Sequence, residues 1–196
     1  MKIKLFLLLF LVSTLTSFGQ GNYLDSVKNH RLERNLEMKD TVKSPLKKDE
    51  ILKFESLHFF DANEKWRITA DFKKAKKKSI ITMPTSSGKI KEYKLLGYAL
   101  FRCNDTSIQL SVYSPVLHPE YLFIPFTDLT SGNECYGGGR YLEVEMINKK
   151  QILLDFNFCY NPYCAYTTGY NCPIPPMENF VPIRIEAGEK LLWESH

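Results

Sequence analysis

Chemistry-bearing side chains gather between Gly137 and Cys172. Arg140 follows a run of three glycines, Gly137, Gly138 and Gly139, and Asp155 interrupts the apolar stretch Ile152-Leu153-Leu154. A guanidinium clamps a carboxylate or phosphate through two parallel hydrogen bonds. Residues without a Cβ before it permit positive φ and close approach of backbone to a ligand. The same residues fit a simpler description, a bulged turn with Arg140 in a salt bridge to Asp155 or Asp128. No Gly-Lys-Ser/Thr follows the glycines, so they are not a nucleotide phosphate loop.

Asp155 and Asn157 emerge from one strand face where it opens into a long loop carrying Tyr160 and Asn161. Buried polar groups must be paired, so these residues either pin the loop or, with Arg140, form a constellation that binds a small polar or anionic ligand. Cys164 and Cys172 stand in the same loop. In an oxidising compartment they would pair, closing a ring of about nine residues worth roughly 2–3 kcal/mol. Zinc would demand further ligands, and Cys135, Cys159, His58 and His118 occur at no recognised spacing, so no metal or cofactor is assigned. A nucleophilic Cys164 assisted by His118 or His58, or a hydrolase using Asp155, is the enzymatic alternative, and a purely structural or partner-binding protein is the third. No catalytic residue is assigned. Ser131 lacks the Gly-x-Ser-x-Gly setting of serine hydrolases. Five cysteines leave at least one unpaired or joined to another chain. His30 and His196 are expected in solvent near the chain ends.

The elements that must position these groups are mostly strands. Tyr23 to Thr41 lacks Gly and Pro, and Tyr23, Val27, Leu32 and Leu36 roughly share one helical face, so an amphipathic helix is predicted, ended by Ser44-Pro45. Asp49 is placed as the cap of a short turn running to Phe54. From Trp66 the period changes to two. Further strands are expected at Ile80–Met83 and Lys89–Leu96 around the Thr85–Gly88 turn, then at Gly97–Arg102, Ser107–Tyr113, Tyr121–Phe126, Arg140–Ile147, Ile152–Phe156 and Val181–Glu186. This is a mainly β chain, an antiparallel barrel or sandwich of about eight strands with an N-terminal helix. The stretch 157–179 has no period, and loops of that length in compact domains are often functional.

Residues 1–19 read as a signal peptide: Lys2 and Lys4, an apolar run from Leu5 to Val12, and small Ser17 and Gly19 before the cut. That run is too short to span a bilayer, so no membrane anchor is expected after cleavage, and the destination is periplasmic or extracellular. Residues 20–196 suit a single β-rich domain. Without Lys2 and Lys4 the balance is 24 basic to 22 acidic residues. The basic run Lys73, Lys74, Lys76, Lys77 and Lys78 is expected in a solvated turn. With only Phe72 beside it, it does not predict nucleic-acid binding. Nothing in the sequence fixes an oligomeric state.

The strings Leu122-Phe123-Ile124-Pro125-Phe126-Thr127-Asp128, Tyr136-Gly137-Gly138-Gly139-Arg140-Tyr141-Leu142, Asp155-Phe156-Asn157 and Tyr160-Asn161-Pro162-Tyr163-Cys164-Ala165-Tyr166 resemble those of the DUF1684 family. Thr130-Ser131-Gly132, Cys172-Pro173-Ile174-Pro175-Pro176, Glu178-Asn179 and Ala187-Gly188-Glu189-Lys190 continue the likeness. Upstream, Ser44-Pro45-Leu46 and Ile81-Thr82-Met83-Pro84-Thr85-Ser86-Ser87-Gly88 carry it over most of the chain after residue 19. The resemblance implies a β-rich fold and no established reaction. The residues themselves point to an exported binding module, its pocket roofed by 157–179 and floored by the Gly137–Arg140 turn.

Overall fold

The computed structural model describes residues 17–192; the apolar run of the expected signal peptide lies outside them. Helix α1 spans Ser17–Lys39. Its inward face is the predicted one only in the first half, at Tyr23 and Val27. Tyr23, Val27 and Met38 are buried, while Leu32 and Leu36 are 53% and 68% exposed. Between the buried residues the inward face is carried by half-buried His30, Arg31 and Arg34, at the three- and four-residue steps that share a helix face. Apolarity alone therefore misjudged a helix that docks through polar side chains. It also ends before Ser44-Pro45: Asp40 Oδ1 accepts the amides of Val42 and Lys43 at 2.8 and 3.0 Å, turning the chain. A single helical turn, α2 (Lys48–Ile51), follows, with Lys47 rather than Asp49 at its N-terminus and Glu50 accepting the Lys47 amide at 2.8 Å. Met38, Leu46, Phe54, Leu57, Tyr166 and Leu192 make a small second core here.

Eight strands follow among the described residues: β1 (Arg67–Pro84), β2 (Ile90–Cys103), β3 (Thr106–Pro115), β4 (Phe123–Asp128), β5 (Arg140–Glu143), β6 (Glu145–Asn148), β7 (Gln151–Asp155) and β8 (Phe180–Val181). The sheet order is β5-β4-β3-β2-β1-β7-β6, antiparallel throughout, with β8 adding a short parallel pairing to β4. Only Val144 separates β5 from β6, yet β5 pairs with β4 at one end of the sheet and β6 with β7 at the other. One bent stretch thus reaches both ends, and the sheet curls into a half-barrel. The expectation of an antiparallel β fold with an N-terminal helix is borne out in this form.

Inward residues such as Ala70, Ala99, Leu110, Ile124, Leu142 and Ile152 fill the curl, with Phe126 and Phe156 edge to face at 5.4 Å. Two expected breaks are absent. The lysine run lies inside β1 rather than in a turn: the register slips between Lys74 and Ser79, and the bulge absorbs the extra residues. Opposite the bulge a Cβ on Gly97 would stand 2.5 Å from the Lys73 carbonyl, so only glycine fits. Likewise 90–103 is one strand, not two. The predicted strand at Val181–Glu186 shrinks to β8, because from Ile183 onward this segment is held chiefly by hydrogen bonds outside any ladder, some of them to side chains.

Candidate functional site

Arg140 opens β5 and is wholly buried. Its guanidinium donates to the carbonyls of Ala187 at 2.5 Å and Ile185 at 2.8 Å, and to Asp128 Oδ1 at 3.4 Å. Asp128 Oδ2 in turn accepts the Ile185 amide at 2.6 Å. Of the two salt-bridge partners considered from sequence, Asp128 is the one used, and the pair ties the C-terminal segment to β4 and β5. In the glycine run only Gly139 has positive φ, +86°, and a Cβ there would lie 2.5 Å from the Phe126 carbonyl. The Gly137–Arg140 turn is thus packed against β4 and does not line the cavity described below.

Asn157 is a loop pin. Its side chain accepts the Asn63 amide at 3.0 Å and donates to the Asn63 carbonyl at 2.9 Å and the Tyr23 hydroxyl at 2.8 Å. Asn161 is also buried: its amide donates to Glu189 Oε2 at 2.9 Å, and its side-chain NH₂ to the Lys190 carbonyl at 2.8 Å. Cys164 and Cys172 are bonded, with Cα atoms 6.3 Å apart, which ties off the stretch between them. Cys103, Cys135 and Cys159 are free thiols, and burial pushes the Cys159 thiol up to about 12.

Asp155, Tyr160 and the disulfide, through Cys172, meet at a cavity of about 900 Å³ between α1 and the loop that follows β7. That volume lies within the range of small-molecule sites. The helix contributes Tyr23, Ser26, His30, Arg34 and Glu37. The loop contributes Phe158, Tyr160, Tyr163, Tyr170 and Cys172, and the strands Arg67, Lys91, Tyr141, Glu143, Glu145 and Asp155. Asp155 accepts the Tyr23 hydroxyl at 2.9 Å and stands 3.6 Å from the Arg67 guanidinium, which lies 4.9 Å over the Tyr23 ring. Tyr160 is held by a two-way backbone bridge to Tyr141, and its hydroxyl donates to Glu143 at 3.1 Å.

Behind the wall, Glu189 is 1% exposed and accepts from Arg34 Nε at 2.9 Å and from the Tyr166 hydroxyl at 2.7 Å, besides the Asn161 amide. Arg34 also pairs with Glu37, which accepts the Tyr163 hydroxyl. Burial, reinforced by Glu37, pushes the Tyr163 phenol up to about 12. Burial, then Glu143, raises Tyr160 as well, so both phenols remain donors. Burial, then the Arg34 charge, lowers His30, whose ring packs on Phe158 at 4.8 Å. His30 is thus half-buried on the cavity wall, not in solvent as its place near the chain end suggested.

The structure therefore divides the six sequence candidates. Asp155 and Tyr160 line the cavity, Cys164 sits behind it in the disulfide, and Arg140, Asn157 and Asn161 bind the scaffold together. Sequence reasoning missed Tyr23, His30, Arg34, Glu37, Glu143 and Glu189. Their signal was a polar stripe on α1 at three- and four-residue steps, and the Glu189 of Ala187-Gly188-Glu189-Lys190. Among the described residues no three or more His, Cys, Asp or Glu side chains are grouped to hold a metal ion, and no helix is long and apolar enough to cross a membrane.

Residues 52–190 match the family model described as Protein of unknown function (DUF1684). Among solved structures, the solution NMR structure of the uncharacterized protein from gene locus rrnAC0354 of Haloarcula marismortui is similar: 27% identity over 89% of this chain and 97% of that one, TM-score 0.69. No curated protein matches the chain. The family match begins just after α2, takes in the whole curled sheet and the disulfide loop, and ends at Lys190, beside the buried Glu189; the chain belongs to the DUF1684 family.

Proposed function

We propose that this protein is an exported binding module for a small polar ligand, held between α1 and the loop after β7. The observation that carries this reading is the cavity of about 900 Å³, walled by aromatic rings and ion-paired side chains. Those walls are set in advance: Tyr160 by its bridge to Tyr141, Arg34 by Glu189, Asp155 by Tyr23, and Cys172 by Cys164. A site whose side chains are already locked loses little freedom when a ligand enters. On the wall Arg34 is engaged with Glu37 and Arg67 with Asp155 rather than arranged as a nucleophile with its base, and the Cys164 sulfur is bonded to Cys172. This favours binding over hydrolysis.

Export is supported by the features of residues 1–19 and by the disulfide, which persists in oxidising compartments. N-terminal sequencing of protein from the native host tests it: a start at Gln20 supports export and a retained Met1 opposes it. The pocket is tested by a thermal-shift screen of small polar compounds against the protein and a Ser26→Trp variant. Ser26 is exposed on the cavity-facing side of α1, so an indole there fills the space without entering a core. Compounds that stabilise the protein but not the variant support the site; equal shifts in both place binding elsewhere.

A further inference from the structure

Independently of the pocket, we infer that the hairpin of β1 and β2 is a docking surface for an anionic phospholipid membrane. From Lys73 to Lys94 the chain carries eight lysines against one acid, Glu92, whereas the rest of the chain after residue 19 holds 16 basic and 21 acidic residues. A strongly positive arm thus stands on a negative body, and such a separation of charge steers a protein, arm first, toward a negative surface. The fold puts these lysines outside. In the bulge between Lys74 and Ser79, the four residues from Ala75 to Lys78 face the single Leu96 of β2, so Lys76 and Lys77 are pushed out of the ladder and are exposed. The Phe72 amide donates to the Lys150 carbonyl at 2.7 Å, which sets the exposed Lys149 and Lys150 against the same end of the hairpin.

Lysines also guard open strand edges against stray pairing, and β1 has no ladder with β7 beyond Asp71. Edge protection does not account for Lys94, which is paired with Ile80 of β1 on one side and Ser114 of β3 on the other. The register also sets Ile80 across from Lys94 and Ile90 across from Pro84, on the face opposite buried Met83 and Tyr93. Ile80 and Ile90 are 58% and 68% exposed. Apolar side chains standing among lysines fit the boundary between lipid headgroups and acyl chains. A nucleic acid would call for exposed rings to stack on, and Tyr93, the one aromatic residue from Lys73 to Lys94, is buried. Among the described residues none of the exposed hairpin lysines is in an ion pair, so their charge is available to lipid phosphates.

The test is flotation of the protein and its variants, all isolated from the same host, with vesicles of phosphatidylcholine alone and of a two-to-one mixture of phosphatidylcholine and phosphatidylglycerol. Binding to the mixed vesicles is expected to be about tenfold or more tighter than to the neutral ones, and to weaken as added salt screens the charges. Each lysine beside an anionic leaflet contributes about fivefold, so the triple variant Lys76→Gln, Lys77→Gln, Lys94→Gln is expected to lose about a hundredfold. The triple variant Lys76→Arg, Lys77→Arg, Lys94→Arg keeps the charge and the binding. Ile80→Ser with Ile90→Ser is expected to weaken binding about tenfold by removing apolar area that enters the lipid. Equal binding to the two kinds of vesicle, a glutamine triple that binds like wild type, or an arginine triple that fails like the glutamine one overturns the docking surface. If the double serine variant binds mixed vesicles like wild type and a single-stranded oligonucleotide displaces both, the hairpin serves a soluble polyanion and the membrane assignment falls.

Discussion

The Tyr23 hydroxyl on α1 donates to the Asp155 carboxylate at the end of β7 at 2.9 Å, joining residues 132 apart in sequence, while the Asn157 side chain donates back to the same hydroxyl at 2.8 Å. This triangle fixes the helix against the barrel end and forms one corner of the cavity. Tyr23→Phe keeps the ring under Arg67 but removes the donor to Asp155 and the acceptor of Asn157. It is expected to cost about 1–2 kcal/mol, the scale of a part-buried hydrogen bond left unmade, and urea unfolding monitored by circular dichroism measures it. A change near zero would mean that α1 is held by apolar contacts alone.

Arg140→Met is expected to be far more damaging than any cavity mutation. It leaves Asp128 buried without its cation and strands the Ala187 carbonyl, and breaking a buried pair from one side costs about 3–5 kcal/mol. The double variant Arg140→Met with Asp128→Leu recovers part of the loss in the same assay, since no charge is then left buried. Equal stability of wild type and Arg140→Met would remove the scaffold role.

How much of this was legible beforehand is clearest at Arg140 and Tyr23. Alternation placed most strands, and turn residues such as Asn104 and Gly88, both at positive φ, marked the hairpins. Two strands were longer than read because a bulge kept β1 in the ladder where its lysines suggested a break. The Cys164–Cys172 disulfide was legible from its place in the long loop. Partner assignments were beyond reach. Arg140 reads as an exposed clamp until the chain brings Ile185 and Ala187 around it, and the polar stripe of α1 acquires meaning only once β7 lies beneath it. Long-range pairing decides which polar side chains become scaffold and which become wall.

Stability should fall at both extremes of pH. Burial lowers the folded-state pKa of His30, so the unfolded chain takes up a proton first: stability from this group is present above about 6.5 and is lost as pH falls below it. The charges facing His30 and entering that balance are Arg31, Glu33 and Arg34 on α1 and Glu189 behind the wall. The Cys159 thiol and the Tyr163 phenol, both pushed up to about 12, act in the opposite sense. Their contribution is complete below the ordinary thiol and phenol range and declines from about pH 9 to 10 upward. Urea midpoints across pH 5 to 11 give the profile, and His30→Gln is expected to flatten its acid limb.

Reducing the disulfide should loosen the cavity more than the barrel. Cys164→Ser with Cys172→Ser is expected to lower stability by about 2–3 kcal/mol, the effect of releasing a short ring. Hydrogen exchange should rise across 164–172 while β1 to β4 keep their protection. A uniform loss of protection would instead make the disulfide a global staple.

The most direct test of the pocket is native mass spectrometry of the protein isolated without denaturation from its own host, beside Ser26→Trp prepared in parallel. The account predicts a small-molecule adduct on the protein that the variant lacks. Identical spectra from the two proteins, or an adduct that survives the indole at position 26, would contradict it.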